Sequence, residues 1–425
     1  MPAQSSAREG DPRPSVRSEI GQLRAVLLHR PGLEMQRITP SNKDELLFDE
    51  LLWVEHAQRE HDAFAGTLRD AGAEVLYLEQ MLAEVLADGD LAAATVAAHV
   101  NDTTCGPVAV DRVRDYLLSL TLPELVDHLI GGVSLEEVGP GGGLVSAVTP
   151  ANEMLLQPLP NTVFMRDSSA WIGEGVVLSP MNRLVRRRET QLLRLLYARH
   201  PRFADTPVWF GDEDVEHYPA TFEGGDVLVV GARGLAIGMS ERTTAAGVEA
   251  LAVRLFASGV VDRILAVDLP KVRSAMHLDT IVTQVDVDAF ITYPAMTSSL
   301  RCYAVSPVGD GGMAVEEVDG LMRGLAWAAA LDQARAIEPA LGSTRAEREQ
   351  WNDANNTLAV RPGEVIVYER NVATNEILEA AGIRVHAIPS YELPRGRGGP
   401  RCMSCPVERD LVSGSVAQRR PGPTP

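Results

Sequence analysis

The sequence predicts an α/β protein in which one strand–turn–strand–helix module recurs, five modules closing into a ring, with a small all-helical insertion. Three observations predict it. From residue 161 onward one pattern repeats in RDSSAWIGEGVVLSPM, GGDVLVVGARGLAIGMSERTTAAGVEALA, LDTIVTQVDVDAFITYPAM and NNTLAVRPGEVIVYERNVATNEILEAAG. The leading polar residues Asp167, Asp226, Asp279 and Asn355 stand 59, 53 and 76 positions apart, a period that marks a serially or radially repeated unit. Second, residues 401–411 (RCMSCPVERDL) read as a strand lacking a hairpin partner and a helix, which the N-terminal strand and helix supply. Third, residues 79–137 change character, with Leu/Ala-rich MLAEVLA, VDRVRDYLLSL and LPELVDHLIGG separated by Gly, Pro and Asp.

In chain order, residues 1–17 are polar and Pro-rich and predict a disordered arm. The segment 18–78 opens the ring: LRAVLL (23–28) is a buried strand ended by Arg30-Pro31-Gly32, and LLFDELLWVEHAQREHDAFAGTLRDAG carries apolar residues at helical spacing until Gly72. After the helical insertion 79–137, the Gly-rich stretch PGGGLVSAVTPANEMLLQPLPNTV leads into the remaining modules, 138–411. The long third spacing predicts a further insertion around 306–350. The tail 412–425 has no apolar periodicity and predicts disorder.

At 425 residues and 45% apolar, the chain is long enough to bury one large core or two smaller ones. A formal charge of −19 opposes binding to a phosphate backbone, so nucleic acid is excluded as a partner class. The N-terminus has no signal-peptide core and no apolar run is long enough to span a bilayer, so the expectation is a cytoplasmic protein without membrane contact. Four cysteines are too few for a disulfide scaffold in a chain of this length, so their chemistry is thiol chemistry.

Cys402 and Cys405 form a C-x-x-C that a redox pair, a zinc site or a nucleophile beside a packed neighbour would all explain. The pair follows the Gly-rich RGRGG, not a thioredoxin-like strand-to-helix context, and Cys105 and Cys302 offer no second ligand pair. In His277-Leu278-Asp279, strand alternation would turn imidazole and carboxylate to one face. With Asp167 and the Glu223-Gly224-Gly225-Asp226 turn at corresponding places, four carboxylates, a histidine and a thiol share one axis. Converging carboxylates call for a cation, either a hard metal ion or a guanidinium whose planar N–H fork matches two carboxylates. The thiol favours the guanidinium.

The motifs LRAVLLHRPG, DELLFDELLWVEHAQREH, PLPNTVFMRD, FEGGD, IGMSERT, HLDTIVTQVD and RGRGGPRCMSCP, in this order from about residue 18 to 411, closely resemble bacterial arginine deiminase. The resemblance implies the five-bladed α/β propeller of the guanidino-modifying (pentein) superfamily and hydrolysis of L-arginine to L-citrulline and ammonia, with no cofactor and no metal. It implies that Cys402 attacks the guanidinium carbon, that His277 acts as general acid and then base with Glu223 orienting it, and that Asp167 and Asp279 hold the guanidinium. Arg186 and Arg242 then meet the α-carboxylate, and Asn161, Phe164, Asp226 and the loop at Gly398 line the substrate. Arg397 corresponds to a mobile-loop residue that approaches the cysteine in the empty site; Cys405 is packing. The rivals are a dimethylarginine or agmatine hydrolase, an amidinotransferase, or a propeller that has lost catalysis and only binds. The helical insertion offers a surface for a homo-oligomer.

Overall fold

The structure is a computed structural model and describes residues 14–211, 216–339 and 343–412. Its strands form five mixed sheets and one short hairpin. Each sheet begins with an antiparallel pair and adds a third strand in parallel. In the second module Ser169–Ile172 pairs with Gly175–Leu178 and then Val208–Phe210. The third pairs Val227–Gly231 with Gly234–Met239 and then Arg263–Asp268. The fourth pairs Val282–Gln284 with Ala289–Thr292 and then Arg335–Ile337. The fifth pairs Leu358–Arg361 with Glu364–Tyr368 and then Arg384–Ile388. In the first, Leu23–Leu28 lies between Cys405–Arg409 and Glu74–Tyr77, so the two ends of the described chain share one sheet.

A parallel third strand needs a crossover, and in each module a helix provides it. These helices are Val54–Asp70, Arg187–Arg199, Ala245–Ser258, Leu321–Ala329 and Val372–Ala380. The first buries Ala57, Phe64, Ala65 and Leu68 at helical spacing against its sheet. In the second to fifth modules the strands of the antiparallel pair are buried on both faces, so they read as apolar runs more than as alternation.

The structure corrects three boundaries. Val16 bridges Gly173 through two backbone hydrogen bonds of 2.8 and 2.7 Å, so residues 14–17 are docked on the second module and are no free arm. The rest of the expected arm and all but the first residue of the expected tail lie outside the described residues. The long third spacing comes from the hairpin Arg301–Val308 and Gly312–Val318, which leaves the fourth module and extends the third sheet beside Arg263–Asp268. That hairpin precedes most of 306–350; the rest of the interval holds the crossover helix and the helix Thr344–Trp351.

The helical segment runs from Leu78 to Val148, beyond residue 137, and is closed by Val133–Ser134 pairing with Met154–Leu156. Capping residues divide it: the Asp88 carboxylate accepts from the Asp90 and Leu91 N–H groups, and Thr121–Glu124 and Ser134–Glu137 form capping boxes. Leu82, Val96, Val113, Leu117 and Leu129 fill its interior. Among the described residues no helix is long and apolar enough to cross a membrane.

Candidate active site

Before the first strand of every module the chain makes one tight turn, closed by a backbone N–H that donates to the carbonyl three residues earlier. The pairs are Asp167 to Phe164, Asp226 to Glu223, Thr280 to His277, Asn356 to Asp353 and Ser404 to Arg401, at 3.0–3.2 Å. The repeat is real, but its polar residues sit on turns. His277 and Asp279 are therefore presented by a 3-10 turn, with Thr280 Oγ1 donating to the His277 carbonyl at 2.7 Å, and not by strand alternation. Cys402 likewise lies in a turn, and the last strand begins at Cys405.

The turns bring Asn161, Phe164, Asp167, Arg186, Arg242, His277, Arg397 and Cys402 around one pocket. Its free space, about 10 Å³, holds a water molecule at most. The Cys402 Sγ lies 3.7 and 4.0 Å from the two oxygens of Asp279, and its backbone N–H donates to Asn356 Oδ1 at 2.9 Å. Burial, then the charges of Asp279, Asp167 and Asp353, push the thiol well above its usual range. His277 Nε2 is 2.9 Å from Glu223 Oε2, and Nδ1 is 3.6 Å from Asp167 Oδ1. Burial opposes protonation of this imidazole, but Asp167, Glu223 and Asp226 outweigh it and raise His277 to about 9. Gly225 makes room for the arrangement, since a Cβ there would stand 2.6 Å from His277 Nδ1 and 2.9 Å from Asp167 Oδ1.

Arg186 is fully engaged. Nη1 donates to Asp167 Oδ2 at 2.7 Å, Nη2 to Glu189 at 2.8 Å and to the Asn161 carbonyl at 3.3 Å, and Nε to Glu189. Arg401 Nη1 donates to Asp279 Oδ2 at 2.8 Å while its other nitrogens reach Glu19 at 3.1 Å. Arg242 Nη1 stands 3.6 Å from Glu223 without a hydrogen-bond partner of its own. The converging carboxylates are thus neutralised by the chain's own arginines, which the sequence reading did not foresee. Asp167, Glu223 and His277 do lie close enough together to ligate a metal. Arg186 already engages Asp167 Oδ2, and Glu223 Oε2 is bonded to His277 Nε2, so of the carboxylate oxygens facing one another Asp167 Oδ1 is the one left free, and a metal held by all three side chains would compete with the imidazole for Glu223.

Asp226 does not line the pocket, which corrects its expected contact with substrate. Its Oδ2 accepts from Ser240 Oγ and Thr243 Oγ1 at 2.6 Å, its Oδ1 from the Leu278 N–H at 2.8 Å, and burial raises it to about 7. It anchors the turn that carries His277 and Asp279. At Gly398 a Cβ would meet Phe164 Cε1 at 2.2 Å, so its bareness lets the loop lie on the Phe164 ring. Asn161 Nδ2 donates to the Leu46 carbonyl at 2.8 Å, and Phe164 stacks on Phe48. Cys405 points away from the pocket toward Ser169. In the fifth module Asn356, not the expected Asn355, reaches the site, its Nδ2 donating to the Asp279 carbonyl at 3.1 Å.

Arg401 carries the first test. Replacing it by Leu leaves Glu19, a carboxyl that Arg401 and Arg166 hold down at about 2 against burial, and Asp279 both buried without their bonded cation. Arg401→Leu is expected to cost about 3–5 kcal/mol in chemical denaturation. A loss below about 1 kcal/mol, no more than a surface pair contributes, would contradict this account of the network.

Solved structures similar to this one include SxtG, an amidinotransferase from Microseira wollei in the saxitoxin biosynthetic pathway, at 15% identity over 94% of this chain and 98% of that one, TM-score 0.58. The N-terminal domain of ArgZ bound to substrate, an arginine dihydrolase from the ornithine–ammonia cycle in cyanobacteria, matches at 14% identity over 91% and 99%, TM-score 0.53. An adduct of dimethylarginine dimethylaminohydrolase with S-methyl-L-thiocitrulline matches at 16% identity over 90% and 99%, TM-score 0.51. Against AgrE the chain covers only 40% of the other protein's length. At such identities the likeness shows the fold, which is that of the guanidino-modifying pentein enzymes. A family model for arginine deiminase matches residues 44–409, and the chain belongs to the arginine deiminase family.

Proposed function

We propose that this protein is an arginine deiminase acting on free L-arginine in the cytoplasm, and that its five sheets are the blades of a propeller around the Cys402 pocket. One observation carries the reading: a buried thiol and the imidazole of a hydrogen-bonded His277–Glu223 pair face the same cavity, which also holds two unused groups of opposite charge. Asp167 Oδ1 and Arg242 Nη1 are buried without hydrogen-bond partners. A guanidinium at the first and a carboxylate at the second would satisfy both. Arg186, committed to protein carboxylates, orients Asp167 and Glu189.

With the cationic substrate bound the Cys402 thiol releases its proton to solvent, and the thiolate attacks the guanidinium carbon, forming an S–C bond; the C–N bond then breaks, and His277 gives its proton to the departing ammonia. Water next adds to the thiouronium carbon, giving one proton to His277; the S–C bond breaks with sulfur leaving as the thiolate, the remaining hydroxyl proton passes to solvent, and citrulline leaves. The raised thiol makes the substrate an activator, because a cation between Asp167 and Asp279 offsets the charge that keeps sulfur protonated. The substrate test is to assay ureido product from arginine, agmatine and methylated arginines. Arg242→Ala is expected to lower kcat/KM for arginine on the order of 100-fold and for agmatine, which has no carboxylate to lose, by much less. Equal or faster turnover of agmatine by the unaltered protein would overturn the choice of substrate.

A further inference from the structure

A pocket with about 10 Å³ of free space cannot admit a guanidine unless a lining side chain leaves. The cations that line it differ in how they are held. Arg186 is bonded on all sides, Arg242 Nε donates to Glu241 at 3.0 Å, and Arg273 Nη2 donates to the Leu47 carbonyl at 3.0 Å. Arg397 is as buried as Arg186 and Arg242, yet none of its three guanidinium nitrogens has a hydrogen-bond partner among the described residues. What it has instead is an aromatic face: its guanidinium carbon lies 3.6 Å from the centroid of the Trp351 ring. Two residues beyond that ring, Asp353 is buried with both carboxylate oxygens unbonded and is the strongest attracting charge on Arg397.

We infer that Trp351 is a positioning residue, the seat on which Arg397 rests as the plug of the Cys402 pocket. A cation–π contact suits a plug because it holds the guanidinium in one place without the directional bonds that would make release slow. The surroundings permit release. Arg397 sits in the left-handed region at φ 65° with Gly396 before it and Gly398 after it. On its outer side it borders a second cavity of about 280 Å³, lined also by Trp351 and Asn352, into which it can withdraw. The seat also accounts for a tryptophan that stands 47% exposed at the mouth of a polar pocket. The inference rests on the reading of the Cys402 pocket as the active site, but its test needs no arginine.

The experiment is alkylation by iodoacetamide of the full chain, with Cys402 and Cys405 followed separately by peptide mass spectrometry. Cys405, buried on the other side of the turn, reports general loosening. Trp351→Ala and Arg397→Ala are expected to raise the Cys402 rate relative to Cys405 by about 3- to 30-fold, the range to which a cation–π contact converts. Trp351→Phe, which keeps a π face, is expected to stay near the parent. Where the Ala variant loses its fold, Trp351→Leu keeps apolar bulk without the aromatic face and is expected to show the same rise. An unchanged Cys402-to-Cys405 ratio in a folded Trp351→Ala or Trp351→Leu protein overturns the inference. Failure to hydrolyse arginine would instead overturn the proposed function, and the two results are read in different assays.

Discussion

Cys402→Ser is expected to lower the turnover of L-arginine by at least ~10⁴-fold while arginine binding remains measurable by calorimetry. The hydroxyl is a far weaker nucleophile than the thiolate, and no other sulfur can substitute. Cys405 faces Ser169, and Cys105 and Cys302 are buried elsewhere. Binding survives because the groups offered to the two ends of the substrate, Asp167 and Arg242, are untouched, and the Cys402 N–H bond to Asn356 involves only backbone. Residual turnover near 1% would sink the covalent mechanism. The same protein gives a spectroscopic control. Ultraviolet thiolate absorbance is expected in the unaltered enzyme only when a cationic ligand is present, and a thiolate signal at neutral pH in the empty enzyme would show that sulfur is activated by other means.

The repeat and its polar residues were legible in the sequence because period and residue type survive without coordinates. Asp167, Glu223, His277, Asp279 and Cys402 all fall on the repeated turns, though at different positions within them, and the structure gathers them. What the sequence hid is how the chain balances their charge. Arg401 adjoins Cys402 in the chain, but nothing in RGRGGPRCMSCP distinguishes a buried arginine that pairs with Glu19 and Asp279 from a solvated one. The same gap misplaced Asp226: a carboxylate at the right period reads as a ligand group until Ser240, Thr243 and the Leu278 N–H are seen to occupy it. Turns were missed for a related reason. A polar residue before an apolar run fits either the start of a strand or the cap of a single helical turn, and only the closing N–H bonds decide.

His277 and Glu223 set the second large effect. Glu223 is itself held far below the usual carboxylate range, since Arg242, His277 and Arg186 outweigh its burial, so it stays an anion through any working pH. Beside it the imidazole is raised from 6.5 to about 9, and for a raised histidine the sign is fixed. Its stabilising contribution is complete below 6.5 and is lost as pH rises through about 9. The proton needed by the leaving ammonia is lost over the same interval, so the alkaline limb of kcat is expected near 9. His277→Ala is expected to cost about 10²- to 10⁴-fold in kcat. Glu223→Gln separates charge from geometry: the amide keeps the size of the side chain and can still accept from the ring, but removes the anion that favours imidazolium. In that variant the alkaline limb is expected to move to lower pH and turnover at neutral pH to fall, with arginine binding retained. An alkaline limb that stays in place would mean that Glu223 merely positions the ring and that Asp167 carries the electrostatic work.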